Sequence, residues 1–360
     1  MSLRQQRKLD HVKLAVQQPA RLPGQRPGGL PAPGWADVHL VHQSLPELGL
    51  DQIDLTTTVG GLRFARPVLI NAMTGGAHGV AEINRDLALL AAELDLPMAV
   101  GSQTAGIREP EVAESYRVVR RSHPHGVLLA NVGAGATVRD ALAAVEMLQA
   151  NALQLHLNAP QELVMPEGDR DFRGQLASIG TLVRRADVPV IVKECGFGMS
   201  RETARQLYDV GVRAIDVSGR GGTNFAWIEG QRGGEDLDPG LQEWGIPTAA
   251  AVAEVAALGL PGLELIASGG IAYGSEAAKA LALGASAVGV AGAVLRARQA
   301  GGIDRARAFL SGLLADLTRA LVLTGAHSIP ALQRRPVVIT GETGQWCRLR
   351  GVDLVGLANR

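Results

Sequence analysis

Five polar side chains crowd the stretch Gln154-Leu155-His156-Leu157-Asn158-Ala159-Pro160-Gln161-Glu162. Gln154, His156 and Asn158 alternate with Leu153, Leu155 and Leu157, the period of a β-strand, so three polar groups share one face. That face is either half-exposed or lines a polar cavity. His156 could be a general base, a ligand or a satisfied core histidine. Gln161 and Glu162 follow in the loop, and a lone carboxylate such as Glu162 could bind a divalent cation or face solvent. Lys193 comes directly after Val190-Ile191-Val192. A lysine on such an apolar strand needs an anionic partner or water. It could sit beside an electron-rich cofactor, form a Schiff base, or snorkel out at the strand end. Cys195 reads as a small buried thiol, because no base at a recognisable spacing supports a nucleophile. Arg4, Arg7, Lys8 and His11 recur at helical spacing and taken alone read as the solvated face of a short N-terminal helix.

These residues need a scaffold, and composition bounds it. With 360 residues, 46% hydrophobic and 19% charged, the chain suits a globular protein with a large core, either one α/β barrel or two ordinary domains. Thirty-five basic residues balance thirty-five acidic ones, which removes any global electrostatic case for nucleic acid. The two cysteines match neither a metal spacing nor a disulfide framework, and a reducing cytosol is their simplest home. Charges occupy the N-terminus where a signal peptide would be apolar, and no apolar run is long enough to predict a membrane span.

From residue 67 onward, short apolar runs recur at 68–71, 98–102, 126–132, 152–158, 189–195, 214–218, 263–268 and 287–291, each followed by a helical stretch. Ser200 is placed to cap a helix over 201–210, and Ser275 one over 276–283. Eight strands alternating with helices predict parallel pairing, right-handed crossovers and a closed (β/α)8 TIM barrel over 67–330. Ahead of it, 1–66 reads as a helix, a proline- and glycine-rich mobile loop over 19–36 and a hairpin bent at Gly60-Gly61, together capping the barrel. Residues 331–360 read as an extension packed on the barrel or on a neighbouring subunit. The long connection over 219–247 reads as functional or disordered. Polar residues gather at strand ends, where barrel chemistry happens. Gly269-Gly270 and Ala291-Gly292 follow the last two strands, and are either turn glycines or a phosphate-binding corner.

The ordered set Arg7-Lys8-x-x-His11, Asn71-Ala72-Met73-Thr74-Gly75-Gly76, Gly101-Ser102-Gln103, Gln154 to Glu162, Val192-Lys193-Glu194-x-Gly196-x-Gly198, Asp216-Val217-Ser218-Gly219-x-Gly221-Gly222-Thr223 and Ser268-Gly269-Gly270-Ile271 resembles the type 2 isopentenyl-diphosphate isomerases. The likeness runs from residue 7 to Val338-Ile339-Thr340-Gly341. It implies an FMN-dependent barrel that interconverts isopentenyl and dimethylallyl diphosphates with reduced flavin and Mg²⁺, NAD(P)H serving as reductant without net redox change. By motif, the resemblance assigns Met73, Thr74, Gly75, Ser102, Asn131, Lys193, Ser218, Thr223, Gly269, Gly270, Ile271, Ala291 and Gly292 to FMN. It assigns Arg7, Lys8, Ser102, Gln103 and Gln161 to the diphosphate substrate, with His11, His156 and Asn158 as further candidates there, and Glu162 to the metal. Gln161, Lys193 and His156 are its catalytic candidates, and flavin N5 is the expected proton carrier. It also implies a cytoplasmic homotetramer or larger homo-oligomer. Thr104 stands where many members carry arginine, and Arg108 is the nearby substitute. A 2-hydroxy-acid oxidase would need a His/Arg pair after the later strands, and an IMP-dehydrogenase-like enzyme a loop cysteine. Neither stands at the expected place.

Overall fold

A computed structural model describes residues 2–18, 32–234 and 237–360. The expected loop over 19–36 therefore lies mostly outside the described residues. Eight parallel strands close into a barrel: β1 (Val68–Ile70), β2 (Met98–Ala99), β3 (Leu128–Gly133), β4 (Ala152–Leu157), β5 (Val190–Glu194), β6 (Ala214–Asp216), β7 (Glu264–Ser268) and β8 (Ala287–Val290). Closure pairs β8 with β1 at Val288 and Val68. All eight anticipated strands form, and helices surround them.

The alternation within each strand builds the interior in layers. Leu69, Ala99, Leu129, Ala152, Ile191, Ala214, Ile266 and Ala287, one from each strand, form a buried apolar floor. Fully burying a leucine or isoleucine is worth about 1.5–3 kcal/mol, so this floor anchors the barrel. Two residues further along, the inward positions become Asn71, Gly101, Asn131, Gln154, Lys193, Asp216, Ser268 and Gly289. Leu153 and Leu155 point the other way, into the main core cluster shared with the outer helices.

The N-terminal segment is not one cap but two. Helix α1 (Leu3–Gln17) lies over the mouth at the C-terminal ends of the strands, its residues Arg7, Lys8 and His11 lining the cavity there. The hairpin Thr57–Val59 and Leu62–Phe64 instead plugs the opposite end, adding Val59 and Phe64 to the apolar floor. Thr57 donates to Ser286 O at 2.8 Å, and Thr58 donates to Glu264 at the start of β7 at 2.6 Å. The C-terminal extension packs on its own chain. Val337–Ile339 pairs antiparallel with Val38–Leu40, and Arg350 reaches the buried Glu254 at 3.2 Å.

Two local expectations change. Ser200 caps Arg201–Asp209 by accepting from Thr203 N at 3.2 Å, but Ser275 caps nothing, because the helix already begins at Gly274. The helix thus starts two residues early, and the bare Gly274 lets it press against the Leu313 carbonyl. The described part of the connection 219–247 contains helices Phe225–Gly233 and Pro239–Gln242, which its composition did not suggest.

Candidate active site

Two adjoining cavities open at the mouth, sharing Ala72, Met73, Lys193, Cys195 and Phe225 as their common wall. The larger, about 560 Å³, lies between α1 and the end of β4. The smaller lies over the glycine loops after β6, β7 and β8.

In the larger cavity, Arg7, Lys8 and His11 face Asn158, Gln161 and Glu162, the last two on α2 (Ala159–Val164). Ser102, Asn131 and His156 complete the wall. Helix α1 is held at both ends. Glu109 accepts from Ser2 at 2.7 Å and Gln5 at 3.0 Å, while Gln18 exchanges two hydrogen bonds with the backbone of Asn224. Burial, with Arg7 and Arg4 adding like charge, brings Lys8 down to about 8 against the pull of Glu229 and Glu162. Among the described residues the buried Nε of Arg7 has no hydrogen-bond partner. Clustered cations with an orphaned donor make this end a receptor for an anion with several oxygens.

Glu229 on α3 (Phe225–Gly233), which sequence reasoning missed, ties two of the cavity's lining residues together. Fully buried, it accepts from His11 Nε2 at 2.8 Å, Gln161 Nε2 at 2.9 Å and Arg232 Nε at 2.7 Å. Burial opposes its charge, yet these partners outweigh it and hold the carboxyl down to about 2. Burial lowers His11 despite Glu229, and Arg232 adds a charge-assisted bond to the same carboxylate. The signal available was the long 219–247 connection, though not which residue within it mattered.

His156 is neutral, brought to about 3 by burial and by the charges of Lys193 and Lys8. It is therefore not an imidazolium acid at neutral pH. Lys193 is buried and donates to Glu194 O at 2.7 Å. Burial works against its charge, but Cys195, Asp216 and Glu194 raise its pKa overall. Cys195 is not tucked into the core as expected but stands at the junction of the cavities. Burial raises its thiol to about 11, so it is no thiolate nucleophile at neutral pH.

The smaller cavity fits a flavin phosphate. Gly269 and Gly270 have φ of 102° and 78°, and a Cβ on Gly222 would fall 2.7 Å from Gly270 N, so only glycines let these loops close together. Ser218, Thr223, Ile271, Ala291 and Gly292 line the same space. Gly292 opens α4 (Gly292–Leu323), which is broken at Gly301 and Gly302, and its N-terminal amides face the cavity. Arg296, one turn in, is half-buried, and its one described hydrogen bond is to Ala15 O at 3.5 Å. It was not singled out from sequence, because an arginine in a helix carries no motif.

Three expected contacts are not brought to either cavity. Thr74 Oγ1 is buried against Asn84, and Gly75 has φ of 146° with its α-carbon against the Tyr116 ring. Gln103 is fully buried, donating to Ala144 O at 2.9 Å and accepting from Asn131 N at 2.9 Å. It braces β3 and the next helix, while its neighbour Ser102 takes the cavity side. Thr104 pairs with Ser102 at 3.2 Å, and Arg108 reaches the rim bound to Asp140 at 2.8 Å. Glu162 lines the larger cavity, accepting from Asn158 at 2.7 Å and Asp169 N at 3.0 Å. Among the described residues no three His, Cys, Asp or Glu side chains cluster to hold a metal. A cation at Glu162 would need oxygens from a bound phosphate.

A TIM barrel with a glycine-lined anion corner at the ends of β7 and β8 belongs to the class of phosphate-binding barrels. The profile of the FMN-dependent dehydrogenases matches residues 167–339. The fold is shared with a lactate oxidase of Pediococcus acidilactici (TM-score 0.69, 16% identity, 92% of this chain and 91% of that one). It is shared too with a mandelate oxidase variant (TM-score 0.64, 21% identity, 92% of each chain). The chain belongs to the isopentenyl-diphosphate delta-isomerase family. It is 64% identical to the enzyme of that name from Symbiobacterium thermophilum, covering 100% of this chain and 99% of the relative. Against the Geobacillus sp. enzyme it is 46% identical, covering 97% of each.

Proposed function

We propose that this protein interconverts isopentenyl and dimethylallyl diphosphates, using reduced FMN and Mg²⁺. The observation that carries the reading is the facing of Arg7 and Lys8 against Gln161 and Glu162 across one cavity that opens into the glycine-lined one. Arg7 and Lys8 bind the diphosphate, with Ser102, Asn158 and His156 beside it. Glu162 holds the cation together with phosphate oxygens, since one carboxylate plus substrate phosphates is an ordinary Mg²⁺ set. Ser218, Thr223, Gly269, Gly270, Ile271, Ala291, Gly292 and Arg296 hold the FMN phosphate end, and Met73, Asn131 and Lys193 lie toward its ring. Reduced FMN, when bound, supplies the acid–base group for moving the double bond. Lys193 offsets negative charge beside it. Gln161, fixed by Glu229, orients the allylic carbons, and α1 excludes water from the closed cavity.

NAD(P)H is the reductant, the setting is cytoplasmic, and the protein works as a homotetramer or larger assembly. Exposed Leu349 and Val355 on the C-terminal extension, 80% and 74% accessible, support association. The experiment is anaerobic reduction of the purified flavoprotein followed by assay on isopentenyl diphosphate. Turnover without stoichiometric NADPH consumption, abolished by chelator and restored by Mg²⁺, supports the reading. Oxidation of a 2-hydroxy acid instead would overturn it.

A further inference from the structure

A single row of buried amides crosses the barrel beneath the two cavities. Asn71 donates to Asp216 Oδ2 at 2.6 Å, Gln154 to Asn71 Oδ1 at 3.1 Å, and Asn131 to Gln154 Oε1 at 3.1 Å. The row ends at His156, whose Nδ1 lies 2.8 Å from Asn131 Oδ1. Asp216, fully buried, also receives Ser268 Oγ at 2.6 Å and Ser218 N at 3.1 Å. We infer that Asp216 acts through Asn71, Gln154 and Asn131 as a positioning residue that sets the tautomer of His156, keeping a proton on Nδ1.

The logic is one of donor and acceptor inventory. A carboxylate accepts only, so Asn71 must offer it an N–H and thereby turns its oxygen to Gln154. Ala72 N donating to the same Asn71 oxygen at 2.9 Å holds that orientation. Gln154 must then donate and turn its oxygen to Asn131, which must do the same toward His156. The ring is left with an acceptor at Nδ1 and so must donate from it. A reversed row would place an amide oxygen against the Asp216 carboxylate inside a buried layer, where an unpaired polar contact is costly. Five residues from four strands, Asn71, Asn131, Gln154, His156 and Asp216, thus behave as one polarised unit. The inference depends only on His156 facing the ligand cavity and not on which ligand binds.

The test is nitrogen-15 NMR of histidine-labelled holoprotein at neutral pH, with the His156 signals assigned by loss in His156→Asn. The expected wild-type result is the neutral ring protonated at Nδ1. In Gln154→Met, which breaks the row at its middle and leaves Asp216 in place, a second form protonated at Nε2 is expected. Asp216→Asn, whose amide can serve either end, is expected to give the same mixture. A wild-type ring protonated at Nε2 overturns the inference. So does a ring that stays wholly protonated at Nδ1 in folded Gln154→Met. Should Asp216→Asn fail to fold, the wild-type spectrum and Gln154→Met decide the matter between them.

Discussion

His11 and Glu229 lie 218 residues apart in sequence and 2.8 Å apart in space, joining the helix over the mouth to the long loop after β6. The same carboxylate oxygen receives Gln161, so the lid and the substrate loop close on one buried charge.

Replacing Glu229 with Gln keeps the shape but removes that charge. Hydrogen bonds to charged groups are worth about 1.5–3 kcal/mol, so kcat/KM should fall about 10- to 150-fold. Proteolytic cleavage within residues 2–18 should also quicken. The carboxyl is depressed from its usual 4.5 to about 2, so the stability it contributes is present above pH 4.5 and disappears as pH falls through about 2. Acid titration of Glu229→Gln should lack that component. Unchanged kcat/KM would remove Glu229 from the site.

Lys8 titrates near 8, and its ammonium is the form that meets a diphosphate. Steady-state kcat/KM should hold below pH 8 and decline above it, since this parameter reports the free enzyme. Lys8→Arg keeps its charge throughout and should abolish that limb. The stability sign is opposite. Because burial lowers the folded pKa, the fold gains stability as pH rises from about 8 towards 10.5.

Arg296 should matter for flavin retention rather than for turnover of bound enzyme. Losing one charge-assisted phosphate contact costs about 1.5–3 kcal/mol, so Arg296→Ala should weaken FMN binding at least about tenfold. Equilibrium dialysis followed by visible absorbance reads this directly. Full retention of flavin by the variant would place the phosphate elsewhere.

Gln103 should behave as a brace. Gln103→Leu leaves Asn131 N without its partner at about 1–3 kcal/mol, which should lower Tm by a few degrees. With the brace reading, KM for the diphosphate changes less than threefold in protein that remains folded, by contrast with a much larger rise for Lys8→Ala. Thermal melts and initial rates separate the two. A large KM increase with an unchanged Tm would return Gln103 to the substrate.

The sequence by itself determined the layers of the barrel. Strand periodicity is set by backbone geometry over a few residues, so Ala152, Gln154 and His156 were bound to share one face, and the same rule placed Lys193 above Ile191 and Asp216 above Ala214. The glycines at 269 and 270 were legible for the same local reason, because φ beyond 60° is a property of one residue. Tertiary structure decided everything that depends on closure. Whether Ser102 or Gln103 faced the cavity turned on how the segment after β2 leaves its strand. That the basic helix crosses the mouth while the hairpin plugs the other end turned on where two distant segments find apolar surface. Glu229 and Arg296 had no motif, since their partners His11, Gln161 and the glycine loops come from remote parts of the chain. Spacing in sequence carries no distance in space beyond a strand or a helix turn, and only the closed barrel supplies it.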